Sequence, residues 1–133
     1  MAAVPTKNTA PEMSLRKELH RRGLRYRLHV AGLPGKPDIV FPGRRVVVFV
    51  NGCFWHRHAD CPKASMPKTN QEYWAPKFER NVERDWQNRT QLVELGWRPI
   101  TLWECDIKRS PVEVGDIVQE VLIKQAESNR FAG

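Results

Sequence analysis

The chain has 133 residues, with 22 Lys plus Arg against 15 Asp plus Glu, a net charge of +7 and a pI near 9.7. That length suits one domain over residues 1–133, burying roughly two-thirds of the surface its unfolded chain exposes. No apolar run reaches membrane-spanning length, no signal-peptide core opens the chain, and three cysteines are an odd count that argues against a disulfide framework. The expected compartment is the cytoplasm, with no membrane contact. The expected partner of so basic a surface is a polyanion, most often nucleic acid.

Residues 1–9 are polar and aperiodic and read as a loose arm. Pro11 to Arg22 reads as a helix: Thr9 caps it, Pro11 suits its first turn, and Leu15 and Leu19 share one face before Gly23 ends it. Tyr26 to Val30 reads as a short strand, followed by the turn-rich Gly32-Leu33-Pro34-Gly35-Lys36-Pro37. Two apolar runs come next, Asp38 to Phe41 and Arg45 to Val50, joined through Pro42-Gly43-Arg44. Runs this rich in β-branched residues predict central strands covered on both faces by helices. A loop over 51–68 follows, then a helical region from Asn70 to Leu95, with Pro76 expected to kink or split it and Gly96 to stop it. Trp97 to Trp103 is a further strand, Val112 to Gln125 a last helix, and residues 127–133 a frayed tail. The order α-β-β-β-α-β-α predicts a three-layer α/β/α domain.

The loop carries most of the chemistry. Asn51-Gly52-Cys53-Phe54-Trp55-His56-Arg57-His58-Ala59-Asp60-Cys61 holds two of the three cysteines, and Cys105 supplies the third just past the end of the last strand. Cys53, His58, Cys61 and Cys105 make a Cys3His set that would close a structural Zn2+ site and tie two strand ends together. The alternative is three buried thiols, inert or redox-active. Zinc ligation by His58 leaves His56 as a spare imidazole suited to acid–base work. Asp38 is an acidic residue at the mouth of an apolar strand, where acidic residues are disfavoured. It reads either as a turn-capping residue or as a ligand of Mg2+, a cation bound through one or two carboxylates and substrate phosphate.

Pro37-Asp38 followed by a second strand resembles the P-D…(D/E)-x-K nuclease core. Pro11-Glu12 through Gly35-x-Pro37-Asp38-Ile39-Val40, the block Asn51-Gly52-Cys53-Phe54-Trp55-His56, the segment Asn81-Val82-Glu83-Arg84-Asp85, and Gly96-Trp97…Trp103-Glu104-Cys105 resemble the very-short-patch repair (Vsr) endonucleases, from about residue 6 to about residue 106. The resemblance implies a restriction-endonuclease-like fold and an enzyme that nicks one DNA strand beside a T·G mismatch, the product of 5-methylcytosine deamination. It implies double-stranded DNA as substrate, a functional link to a cytosine-5 DNA methyltransferase, and a monomeric enzyme with structural Zn2+ and catalytic Mg2+.

Carried over by position, Asp38 is the Mg2+ ligand and the Val50 carbonyl a second one. His56 is the general base, Glu12 supports the site through metal-bound water, and Asp85 orients His56. Phe54, Trp55 and Trp74 form an aromatic wedge that inserts beside the mismatch, a step that is cheaper to open than a paired one. Lys63, Lys68 and Lys77 lie near it as phosphate contacts. Two departures stand out: Asn51 occupies the position of a family histidine, and only some ten residues precede the first helix. Both admit a restriction-like or general nicking enzyme without strict T·G specificity. A zinc-stapled DNA-binding module without catalysis is a third reading, which Asp38, His56, Glu12 and Asp85 together oppose.

Overall fold

The computed structural model describes residues 9–132, without the side chains of 129–132. The arm read over residues 1–9 therefore lies outside the described residues except for Thr9, as does Gly133 of the tail. Helix α1 spans Ala10–Arg21, and the Thr9 side chain accepts the Glu12 amide at 3.4 Å. A cap of this kind satisfies one of the four donors a helix start leaves free. Leu15 and Leu19 are fully buried, and Glu12, one turn earlier on the same face, is 1% exposed. A carboxylate on the apolar stripe of an amphipathic helix is costly unless something compensates it.

The sheet has four strands in the order β1 (Arg27–Leu28), β2 (Ile39–Phe41), β3 (Val46–Asn51) and β4 (Arg98–Trp103). β1–β2 and β2–β3 are antiparallel, whereas β3–β4 is parallel, from Val46↔Arg98 to Asn51↔Trp103. A parallel partner needs a crossover, and α2 (Gln71–Glu94) supplies it. Alternation along the strands divides the core. Ile39, Phe41, Val46 and Val48 face α1, α3 (Glu104–Arg109) and α4 (Pro111–Ala132), joining Leu15, Leu19, Ile107, Val114 and Val118. Val40 and Val47 point the other way, onto Leu92 of α2 with Phe49 and Trp97 alongside. Helices thus cover both faces of the central strands, as the apolar runs predict.

Four details depart from the sequence reading. The strand expected over Tyr26–Val30 is only two residues long, because His29 turns to φ 48°. Helix α2 is continuous through Pro76. Proline at its sixth position forfeits a single bond to the carbonyl of exposed Glu72, which water can satisfy. The chain re-enters a helix at once after β4, an element the sequence reading lacks, so Cys105, just past the strand as expected, sits in the first turn of α3. Helix α4 continues through Glu127, where a frayed tail is expected, to Ala132.

α1 and α4 meet closely. Glu18 binds Arg21 at 2.6 Å and Arg22 at 2.7 Å, and Arg22 reaches Gln119 at 2.8 Å and Asp116 at 2.8 Å. These contacts fix the helix that delivers Glu12.

Candidate active site and metal centre

One cavity of about 900 Å³ opens where the start of α1, the 29–38 segment, the end of β3, α2 and the start of α3 converge. Glu12, Asp38, Val50, Asn51, Trp55, His56 and Asp85 all line it. Five separate stretches of sequence thus contribute to one space. Phe54, Trp74, Lys63 and Lys68 do not line it.

Asp38 stands just ahead of β2, and its backbone amide bonds the Val48 carbonyl at 3.0 Å. Its Oδ2 accepts the Val50 amide at 2.7 Å. Burial pushes its carboxyl from 3.8 up to about 6, with the Glu12 charge adding to the rise and the Val50 amide, His29 and His56 opposing it. A buried carboxylate facing another carboxylate suits a bound cation.

His56 lies on the far side of the cavity loop. Its Nδ1 is 2.6 Å from Asp85 Oδ2, and its backbone amide bonds the Gly52 carbonyl at 3.1 Å. Helix α2 carries Asp85 and pins the same loop through Asn81, whose amide donates to the Trp55 carbonyl at 3.3 Å. The helix comes close to the opposite wall at Gly35, where a Cβ would meet Asn88 at 3.0 Å. Glycine is needed there twice over, since its φ is also +77°. Asn51 ends β3, 7% exposed, opposite Trp103.

Cys53, His58, Cys61 and Cys105 bring four ligand atoms within 4.8 Å of one another. Cys105 Sγ and His58 Nδ1 are 3.4 Å apart. Edges of about 3.5–3.8 Å follow from tetrahedral zinc with ordinary bond lengths, so this donor set fits a metal such as zinc. Burial pushes the Cys53 thiol up to about 12, while the Lys63 backbone amide lowers that of Cys61. The His58 ring stacks on Trp103 at 4.3 Å. Arg57 binds the carbonyls of Phe54 (3.2 Å), Ser65 (3.5 Å) and Ala64, and its guanidinium lies 4.1 Å above the Phe78 ring. The loop is thus held from within as well as by the ligand cluster.

Phe54, Trp55, Trp74 and Phe78 form a continuous aromatic group with ring centroids 5.0–5.8 Å apart. Phe54, Trp55 and Trp74 are half-buried against one another; Phe78 is buried. The Lys77 ammonium lies 5.5 Å over Trp55 and 5.8 Å over Trp74. Lys63 and Lys68 are exposed on the loop.

His29, Asn88, Arg89 and Glu104 also line the cavity, and sequence reasoning passed over all four. His29, Glu12 and Asp38 form a second convergent ligand group. The Trp103-Glu104-Cys105 segment offered a signal for Glu104. A histidine at the end of a short strand offered none for His29.

A basic α/β protein with two carboxylates and a His–Asp pair lining one cavity has the groups of a metal-assisted phosphodiesterase, and the comparisons with known proteins give the chain a family. The DNA mismatch endonuclease Vsr family model matches residues 1–63. The type II nicking enzyme V.XorIIP of Xanthomonas oryzae pv. oryzae is 49% identical over 107 residues, covering 80% of this chain and 78% of that one. The DNA mismatch endonuclease Vsr of Escherichia coli (strain K12) is 44% identical over 108 residues, covering 81% and 69%. The catalytic domain of the homing endonuclease I-Bth0305I shares the fold, with a TM-score of 0.60, 18% identity and coverage of 89% and 98%. This chain belongs to the Vsr DNA mismatch endonuclease family and is a DNA nicking endonuclease. Among the described residues, no helix is long and apolar enough to cross a membrane.

Proposed function

We propose that this enzyme hydrolyses one strand of duplex DNA beside a T·G mismatch left by 5-methylcytosine deamination, as the repair partner of a cytosine-5 DNA methyltransferase. It does so as a monomer on a three-layer P-D…(D/E)-x-K scaffold, with structural Zn2+ at the Cys3His cluster. The observation that carries the reading is the His56–Asp85 pair at 2.6 Å, across one cavity from Glu12 and Asp38. Asp85 accepts a hydrogen bond from the Nδ1–H of His56 and so fixes the tautomer, which leaves Nε2 as the acceptor for the proton of the attacking water. Asp38, with the Val50 carbonyl, would hold Mg2+, and Glu12 supports that position from α1. When bound, the cation supplies a Lewis acid and a template for in-line displacement. Asn51 offers an amide to a phosphate oxygen but no positive charge.

Phe54, Trp55 and Trp74 supply the wedge, and a weakly paired T·G step opens to it at lower cost than a matched step. Lys77, poised over the rings, with Lys63 and Lys68, holds phosphates on either side. A second reading, nicking without strict T·G preference, draws support from relatives named type II nicking enzymes at 49% and 41% identity. A set of duplexes that differ only in one base pair tests the proposal, run with wild type and Asp38→Ala. Mg2+-dependent nicking of the T·G duplex alone, abolished in Asp38→Ala, is the expected result. Equal nicking of all duplexes selects the second reading, and wild-type rates in Asp38→Ala overturn the site.

A further inference from the structure

His29 is held in an unusual state. Its backbone lies at φ 48°, in the left-handed region that few residues other than glycine enter, Asn, Asp and His most readily among them. Its amide donates to the Asp38 carbonyl at 3.1 Å, so this residue is clamped to the segment that carries Asp38. Its Nε2 is fully buried and makes no hydrogen bond among the described residues. Buried polar atoms are nearly always satisfied, and an exception calls for a cause. Glu12 Oε2 is 3.2 Å away, but at an angle that forms no hydrogen bond, and Arg16 reaches the same oxygen at 3.2 Å. An ordinary imidazole–carboxylate pair would have turned the ring to bond. Instead one nitrogen and two carboxylates present ligand atoms within 4.8 Å of one another.

We propose that His29 Nε2 is a direct ligand of the cation held by Glu12 and Asp38, and that this mixed set takes a divalent transition cation of the Mn2+ class in preference to Mg2+. The inference rests on the reading of this cavity as the catalytic metal centre. Mg2+ is a hard cation that keeps oxygen and water around it, and a nitrogen ligand gives it little. First-row transition cations accept imidazole, with affinity rising along the series from Mn2+. One nitrogen among the donors therefore shifts selectivity away from Mg2+ without removing the oxygen ligands Mg2+ uses.

The test is Mn2+ titration of zinc-loaded, DNA-free protein, with free Mn2+ read by electron paramagnetic resonance and Mg2+ as competitor. Pulsed spectra of the bound Mn2+ report any directly attached nitrogen. Wild type should bind Mn2+ at least about tenfold more tightly than Mg2+ and show the nitrogen signal. His29→Asn, which suits the left-handed backbone, and His29→Gln should both lose the signal. Their Mn2+ affinity should drop about tenfold or more, the scale on which metal sites answer to lost partners. His56→Gln should keep the signal. A bound Mn2+ with no nitrogen signal in wild type, or a signal and affinity unchanged in both His29 variants, overturns the assignment of His29 while leaving the metal centre intact. Wild type that binds neither cation overturns both.

Discussion

Asp38→Asn should destroy nicking and at the same time make the cation-free protein more stable. The wild-type carboxyl rises from 3.8 to about 6 on folding, chiefly through burial. A carboxyl raised on folding binds its proton more tightly in the native state, so native stability falls as pH climbs from about 4 to about 6 and stays low above that. At 1.36 kcal/mol per unit, ionised Asp38 costs the fold about 3 kcal/mol at pH 8 and about half that at pH 5. Asparagine removes the charge, and its amide oxygen can still accept the Val50 amide that Asp38 Oδ2 now takes at 2.7 Å. Urea unfolding of zinc-loaded protein at pH 5 and pH 8, with no added Mg2+ or Mn2+, measures the difference. Thiol protonation at the Cys3His cluster affects both proteins alike and cancels. The variant should be more stable at both pH values, with the larger margin at pH 8. Added cation should stabilise wild type only. A variant less stable than wild type at pH 8, or a margin independent of pH, would refute the argument that Asp38 is a buried charge awaiting a partner.

Cys105→Ser removes one of four ligands that join the β3 loop to α3; metal analysis should fall well below about one zinc per chain, and much of a binding free energy on the order of 10 kcal/mol should vanish from folding. A soluble, zinc-free and fully active Cys105→Ser protein would exclude a structural metal. Asn51→His places a cationic group at the end of β3 and should raise single-turnover nicking, most at low pH. Slower nicking at every pH would show a site adapted to the amide. Trp55→Ala and Trp74→Ala should cost roughly 1–3 kcal/mol per stacked base on a T·G duplex, and less on a matched duplex, where binding is mainly electrostatic. Affinities on paired oligonucleotides decide this, and equal losses would place both rings in a purely structural role.

The features legible in the sequence are those written in local pattern or in rare residue types. Val46 to Val50 is apolar at every position, short and rich in β-branched residues, which favours a central strand over a buried helix, so the sheet and its two helical coverings follow. The Cys3His cluster declares itself because cysteine is scarce and all three have to be explained. Other features depend on contacts between distant segments. The two-residue length of β1 follows from the backbone reversal at His29, which is fixed by Asp38 across the sheet. Helix α3 has an acidic first turn and a basic last turn, a signature visible in Glu104–Arg109, but six residues are too few for periodicity to reveal. The Glu12–His29–Asp38 convergence brings together one residue from a helix and two from irregular backbone, with no spacing rule to link them.

The chain runs directly from the end of β3 at the cavity into the Cys3His cluster. Val50 donates to Asp38, Asn51 lines the cavity, Cys53 is a zinc-type ligand and His56 faces Asp85. The pairing of β3 with β4 continues to Asn51↔Trp103, so the alignment of two strands sets the positions of carboxylate, thiol and imidazole together. A slip of one residue turns every side chain of a strand to the opposite face, and here it would dismantle both centres in a single step. Damage to this segment therefore produces an inert protein rather than a loosened one. For a DNA nicking endonuclease, failing silent is a safeguard against indiscriminate cutting.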